Sequence, residues 1–337
     1  MNSALANEPR HQMMVAWLDT VFTEQSYQLS IASADASFRR YFRVHADVQT
    51  LIVMDAPPDK ESCTEFVALS ALFLSLGLQV PAVIEQNESE GFLLLTDLGE
   101  QAYLQLLDEH NADALYGDAM HALIPLQACK PKAYDFPQYD EKLLMNEMAL
   151  FSDWLLKQQF NIKLSEQDGQ QLQQAYQFLA ANALEQPQVA VHRDYHSRNL
   201  MVTEKHNPGI LDFQDAVLGP VTYDLVSLLK DCYIRWPRER VEHWVRDFHA
   251  KAIQSGILHD VTEQQFNRWF HLMGVQRHLK AAGIFARLNK RDNKSNYLGD
   301  IPRALGYVSE VASEYPQLQI LQSLLRDLAP QIHALSE

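Results

Sequence analysis

Val191-His192-Arg193-Asp194-Tyr195-His196-Ser197-Arg198-Asn199 is followed, thirteen residues after Asn199, by Asp212 within Gly209-Ile210-Leu211-Asp212-Phe213-Gln214. A His-x-Asp-x-x-x-x-Asn segment with an Asp soon after it, at the end of an apolar strand, meets the needs of ATP-dependent phosphoryl transfer. One carboxylate accepts the proton of the attacking hydroxyl. An amide and a second carboxylate hold the magnesium that neutralises the triphosphate, an ion that prefers hard oxygen donors. Asp194 is therefore the candidate base, and Asn199 and Asp212 are the candidate magnesium ligands. A turn-capping Asp194 or a solvated Asp212 would each be unremarkable alone, but neither explains the joint order and spacing.

Working outward, the chain has 337 residues, 47% of them hydrophobic, enough for one large core or two smaller ones. Twenty-eight basic against 43 acidic residues give a formal charge of −15. That balance argues against a nucleic-acid partner, which needs clustered Lys and Arg. Cys63, Cys129 and Cys232 are far apart and odd in number, which fits neither a disulfide framework nor a zinc site and suits a reducing compartment. Residues 1–10 lack a basic segment followed by an apolar run, and no run approaches the ~20 apolar residues that span a bilayer. A cytoplasmic protein with no membrane association and no obligate protein partner is expected.

Periodicity predicts a helix over residues 10–22, with Met14, Trp17, Leu18 and Val21 on one face. Strands follow within residues 30–54, broken by Asp55-Ala56-Pro57-Pro58, and then a helix over 62–76 with Phe66, Leu69, Leu72 and Phe73 inward. Another buried strand, residues 91–96, completes a small β-rich lobe assigned to residues 1–96. Residues 97–337 form the second lobe, mainly helical, with helices at 103–107, 113–127, 142–158 and 166–181. Short strands at 189–192, 200–202 and 209–211 flank the catalytic segment. The fold class expected is thus α+β with two lobes.

His192–Asn199, Asp212-Phe213-Gln214-Asp215 and Gly219-Pro220-Val221-Thr222-Tyr223-Asp224-Leu225 resemble the aminoglycoside phosphotransferase-like kinases, which share the bilobal protein-kinase fold. Three longer segments are similar to the branch of that family acting on N-acetylmuramate and N-acetylglucosamine. They are residues 34–42, residues 53–58 and Gln276-Arg277-His278-Leu279-Lys280-Ala281-Ala282-Gly283-Ile284-Phe285-Ala286-Arg287-Leu288. The resemblance implies phosphorylation of the anomeric hydroxyl, giving a sugar 1-phosphate for cell-wall recycling, with ATP and Mg2+ as cofactors and a small sugar as the partner.

It also implies roles. Ala36, Ser37 and Phe38 occupy the place of a glycine-rich phosphate loop, and Leu95, Thr96 and Leu98 form the hinge that meets adenine. His192 braces the loop, Asp224 anchors it, and Asp215 and Arg198 face the acceptor. The family's N-lobe lysine is missing: Met54 stands in its place, and Arg40, Arg39, Arg43 or Lys60 is left to supply the charge. At 100° per residue, Arg277, Lys280, Arg287 and Arg291 span about 80° of a helix, with Leu279, Ala282, Gly283 and Ala286 opposite. Arg277 and Arg287 are the candidates there for an anionic acceptor group, since Arg matches carboxylates bidentately; a solvated basic face is the bland alternative. Kinases for aminoglycosides or choline, and a nucleotide-binding pseudokinase, remain rival readings.

Overall fold

The structure, a computed structural model, describes residues 8–33, 38–47, 49–129 and 134–336. Ala36 and Ser37 of the expected phosphate loop lie outside the described residues. The chain divides into two units, Met1–Gln101 with Met201–Gln214, and Ala102–Leu200 with Asp215–Glu337.

The first unit is built on a five-stranded antiparallel sheet of order β1-β2-β3-β5-β4. The strands are β1 (Tyr27–Ser33), β2 (Arg40–Ala46), β3 (Thr50–Asp55), β4 (Val83–Asn87) and β5 (Phe92–Thr96). Helix α1 (Pro9–Val21) starts with proline at a position where its missing N–H costs nothing. It lays Met14 and Leu18 on one sheet face, against Phe42, Val44, Leu51, Val53, Phe92 and Leu94. Each of these side chains contributes about 1.5–3 kcal/mol on full burial. Helix α2 (Thr64–Ser75) buries Phe66, Leu69 and Phe73.

The first unit takes in Met201–Gln214 as well, which the expected boundary at residue 96 does not include. Strand pairing accounts for the shift, with the Val202 N–H donating to Gln101 O at 2.8 Å and the Ile210 N–H to Gln79 O at 2.7 Å. In the same segment β7 (Leu200–Met201) pairs with β8 (Gly209–Ile210). Gly209 packs closely there: a Cβ would sit 3.0 Å from the Leu98 side chain, which would have to give way.

The second unit is helical: α3 (Tyr103–Leu106), α4 (Ala112–Gln127), α5 (Glu141–Leu150), α6 (Glu166–Leu184), α7 (Tyr223–Leu229), α8 (Arg238–Gln254), α9 (Glu263–Asp292), α10 (Ile301–Ala312), α11 (Gln319–Asp327) and α12 (Ala329–His333). Its one antiparallel strand pair among the described residues is β6 (Gln188–Val191) with β9 (Val217–Pro220). Side-chain caps set several helix starts: Asp140 accepts from Leu143 N–H, Ser165 from Asp168 N–H and Thr262 from Gln265 N–H. The single helix expected at 142–158 is α5 continued by a π-helical stretch, Phe151–Gln159.

Helix α9 is the spine of this unit, packed against α5, the π-helical stretch, α6, α7 and α10. At its crossing with α5, Gly283 leaves no room, and a Cβ would fall on the Leu150 backbone carbonyl. Gly→Ala inside a helix ordinarily gains ~1 kcal/mol. Here overpacking costs about 1–3 kcal/mol or more, so Gly283→Ala is expected to lower stability. Urea denaturation checks the sign, and a stabilised variant would refute the close crossing.

Candidate active site

Strand β6 ends at Val191, and the next eight residues form a loop held from both sides by carboxylates near the ends of α7. Asp224, in the first turn of α7, accepts from the His192 N–H at 2.7 Å and the Arg193 N–H at 3.0 Å. Burial pushes the Asp224 carboxyl up to about 7, against the pull of those two donors. The grip holds Arg193 at φ +77, a left-handed conformation that L residues adopt at a cost of about 1–3 kcal/mol. Asp231, fully buried after α7, accepts from the Ser197 N–H at 2.9 Å and the Ser197 hydroxyl at 2.5 Å.

Within the loop, Asp194 is the junction. Its N–H donates to His192 Nδ1 at 3.3 Å, which places the proton of a neutral His192 ring on Nε2. Its carbonyl accepts from the His196 N–H and from Asn199 Nδ2, each at 3.0 Å. The Asn199 amide nitrogen is thereby used inside the loop; its oxygen is the atom a magnesium ion would take.

The Asp194 side chain lines a cavity of about 190 Å³ in the second unit, together with Tyr223, Arg277 and Lys280 on its polar side. Tyr233, Phe285 and Tyr297 make an aromatic wall, with the Phe285 and Tyr297 rings stacked 5.6 Å apart. Burial drives the Asp194 carboxyl up, but Lys280, His196 and Arg277 outweigh it and hold the group below the usual aspartate range. The charge network continues behind Asp194. Glu147 on α5 accepts from Arg193 Nη2 at 2.6 Å and from Lys280 Nζ at 3.0 Å, and the Tyr139 hydroxyl also donates to it. Lys280 Nζ donates in addition to the Tyr223 hydroxyl at 3.0 Å.

In the first unit, Asp212 follows β8 at φ +64 and accepts from Gln214 Nε2 at 2.7 Å. Phe213 beside it is buried between Phe66 and Phe73, with ring centroids at 4.8 and 5.6 Å. Packing thus fixes the backbone at Asp212 while the carboxylate itself stays exposed.

The other expected site residues divide. Arg277 and Lys280 reach the cavity; Arg287 does not line it, and Arg291 is an exposed partner of Asp292. The basic stripe is therefore split rather than a single anion-binding face. Arg198 lies with its guanidinium 3.6 Å from the centroid of the Tyr233 ring, outside the lining, and Asp215 is exposed. Met54 is fully buried. Arg40 cannot take its place, because alternation turns Arg40 to the α1 face, where it donates to Asp55 at 2.7 Å. Arg43 is held by Asp97 at 2.6 Å, Arg39 by Glu61 at 2.8 Å, and Lys60 is half exposed beside Asp59. In the expected hinge, Thr96 Oγ1 accepts from the Ala82 N–H at 2.9 Å, Leu95 and Leu98 are buried, and Phe38 is exposed. Asp231, Glu147 and Lys280 are site residues that sequence reasoning missed or left among a solvated stripe; the seven-residue spacing from Asp224 to Asp231 is the one signal available for Asp231.

Among the described residues no helix is long and apolar enough to cross a membrane. The profile of the phosphotransferase enzyme family matches residues 28–260. The chain is 43% identical over 332 residues to the N-acetylmuramate/N-acetylglucosamine kinase of Pseudomonas putida, covering 96% of this chain and 97% of that protein. It is 41% identical over 317 residues to the N-acetylmuramate/N-acetylglucosamine kinase of Neisseria meningitidis, covering 93% and 94%. Among solved structures it is similar to a GDP complex of aminoglycoside 2'-phosphotransferase-IIIa, with a TM-score of 0.60, 17% identity and coverage of 91% of this chain and 100% of that one. The choline kinase LicA from Streptococcus pneumoniae gives a TM-score of 0.60 at 10% identity, covering 90% and 100%. Those two likenesses show the fold.

Proposed function

As the chain belongs to the phosphotransferase enzyme family, we propose that it transfers the γ-phosphate of ATP to the anomeric hydroxyl of N-acetylmuramate or N-acetylglucosamine, giving the sugar 1-phosphate used in cell-wall recycling. The observation that carries this reading is identity of 43% and 41% to two kinases of that name along nearly their whole length. The cavity supports it, because a carboxylate base beside two cations and an aromatic wall suits one sugar ring bearing polar or anionic groups.

In the proposed reaction the anomeric oxygen bonds to the γ-phosphorus as the bond to ADP breaks, and Asp194 takes the hydroxyl proton. The hydroxyl of a hemiacetal is more acidic than that of an ordinary alcohol, so a carboxylate of low basicity suffices. The transition state is loose, and positioning of acceptor and charge supplies most of the acceleration. Magnesium, when bound, neutralises charge on the phosphates; Asn199 and Asp212, which offer hard oxygens, are its proposed ligands. His192 and Asp224 serve to hold the loop. Ala36, Ser37 and Phe38 with Leu95, Thr96 and Leu98 are carried into the proposal as the nucleotide-binding residues. The protein acts in the cytoplasm on small molecules without an obligate protein partner.

Release of ADP, measured with N-acetylmuramate, N-acetylglucosamine, choline and kanamycin, tests the reading. Turnover is expected with the two amino sugars and near background with the cationic acceptors. Preference for choline or kanamycin would overturn it, and no turnover with any acceptor would favour a pseudokinase.

A further inference from the structure

The cavity that holds Asp194 also holds a buried cation, Arg277, which is attracted by Asp231 and Asp194 but is ion-paired with neither within 4.0 Å. Arg277 on α9 is only 6% exposed and lines that cavity. Its Nη1 donates to the Cys232 thiol at 3.6 Å, a weak acceptor, and its buried Nε meets no acceptor. Among the described residues it makes no ion pair within 4.0 Å. Its neighbour Lys280, one turn along the same helix, is equally buried but rests on Glu147 at 3.0 Å. Arg193, the third cation around the base, is likewise bonded to Glu147.

A buried ion without a partner costs several kcal/mol, so a guanidinium is ordinarily retained inside a protein only where something pairs with it. Tyr233, Phe285 and Ile284 of the cavity lining carry no negative charge, and Asp231, which attracts Arg277 from nearby, is already taken up by the Ser197 N–H and hydroxyl and the Tyr233 N–H. Asp194, which shares the cavity, has to face the reacting hydroxyl. An anionic group on the same sugar is repelled by that carboxylate and drawn to the cation. The two proposed acceptors differ in this respect, since N-acetylmuramate carries a lactyl carboxylate on its ring and N-acetylglucosamine does not. We infer that Arg277 receives that carboxylate through its planar fork and thereby sets the preference for the acid-bearing sugar over the neutral one. This inference rests on the function proposed above and adds the group by which the enzyme tells its two acceptors apart.

The experiment compares kcat/KM for N-acetylmuramate, its methyl ester and N-acetylglucosamine in the full-length wild type, Arg277→Met and Arg277→Lys. In Arg277→Met the ratio of kcat/KM for N-acetylmuramate to that for N-acetylglucosamine is expected to fall about 10–100-fold, chiefly through KM, as loss of a charge-assisted hydrogen-bond pair predicts. Arg277→Lys, which keeps the charge and loses the fork, recovers part of the ratio. With wild-type protein the methyl ester shows the same loss as the variant, and this arm does not depend on how any variant folds. A ratio that stays within about twofold of wild type, or an ester as good as the free acid, overturns the inference. An equal fall on both sugars overturns it too, because Arg277 would then serve Asp194 or the transferred phosphate. Wild-type protein that turns over neither sugar fails the functional reading itself, and the inference falls with it.

Discussion

Asp194→Asn is expected to lower kcat with the best acceptor by about 10²–10⁴-fold, the usual contribution of a positioned general base. The substitution keeps the shape of the side chain and removes its charge together with its capacity to take a proton. The loop's own bonds are made by the Asp194 backbone, to His192, His196 and Asn199, so the fold of the loop does not depend on the carboxylate. Circular dichroism should therefore change little, and melting temperature should fall only by what the buried charge itself contributes, while turnover collapses. A variant that keeps kcat within twofold of wild type would remove Asp194 from the role of base.

The same residue predicts the pH profile. Its folded-state pKa is held below the usual aspartate value by Lys280, His196 and Arg277, against burial. A base works above its pKa and fails as pH falls through it, so the acid limb of kcat/KM set by Asp194 lies below the ordinary value of ~3.9. By linkage the same depressed pKa contributes stability that is present above ~3.9 and lost as pH falls through the folded value. Replacing Lys280 by methionine removes the largest opposing influence and should move the acid limb upward.

The parts of the site that were legible in the sequence are those fixed by short spacings. Asp194, Asn199 and Asp224 fall on one loop and the helix that follows it, so a local motif implies their juxtaposition. The strand before the loop and the helix α1 with Met14 and Leu18 inward followed from period alone. Asp231 and Glu147 were not legible, because what gives them meaning is a bond to Ser197 across 34 residues and to Arg193 across 46. The basic stripe on α9 shows a related limit. A helical period says which residues share a face but not what covers it, and the cover changes from the Asp194 cavity at Arg277 to solvent at Arg291. Arg40 shows the opposite limit. Its face followed from strand alternation, yet the carboxylate of Asp55 that claims it could be known only from the pairing of β2 with β3.

Glu147→Gln is expected to be the most destabilising single change around the site. The carboxylate is buried and serves Arg193, Lys280 and the Tyr139 hydroxyl at once. Burial pushes its pKa up, and Lys280 and Arg193 more than reverse that, so it is ionised in the folded protein. Removing one partner of a buried ion pair leaves uncompensated charge and typically costs about 3–5 kcal/mol. Here two cations are stranded, and Lys280 is left facing the carboxylate of Asp194, which attracts it and shares its cavity. Activity should therefore fall along with stability, since a base paired directly to an ammonium is weaker. The sign with pH follows from the depressed pKa: Glu147 contributes stability above its unfolded value of ~4.3, so the gap between wild type and variant narrows as pH falls below it. Adding Lys280→Met to Glu147→Gln removes one stranded cation and should recover part of the lost stability, a coupling of about 0.5–3 kcal/mol between residues in contact. Urea denaturation of the four proteins in this double-mutant cycle measures it. Strictly additive losses, or a single-variant loss under about 1 kcal/mol, would show that Glu147 is not the counter-charge on which this side of the active site depends.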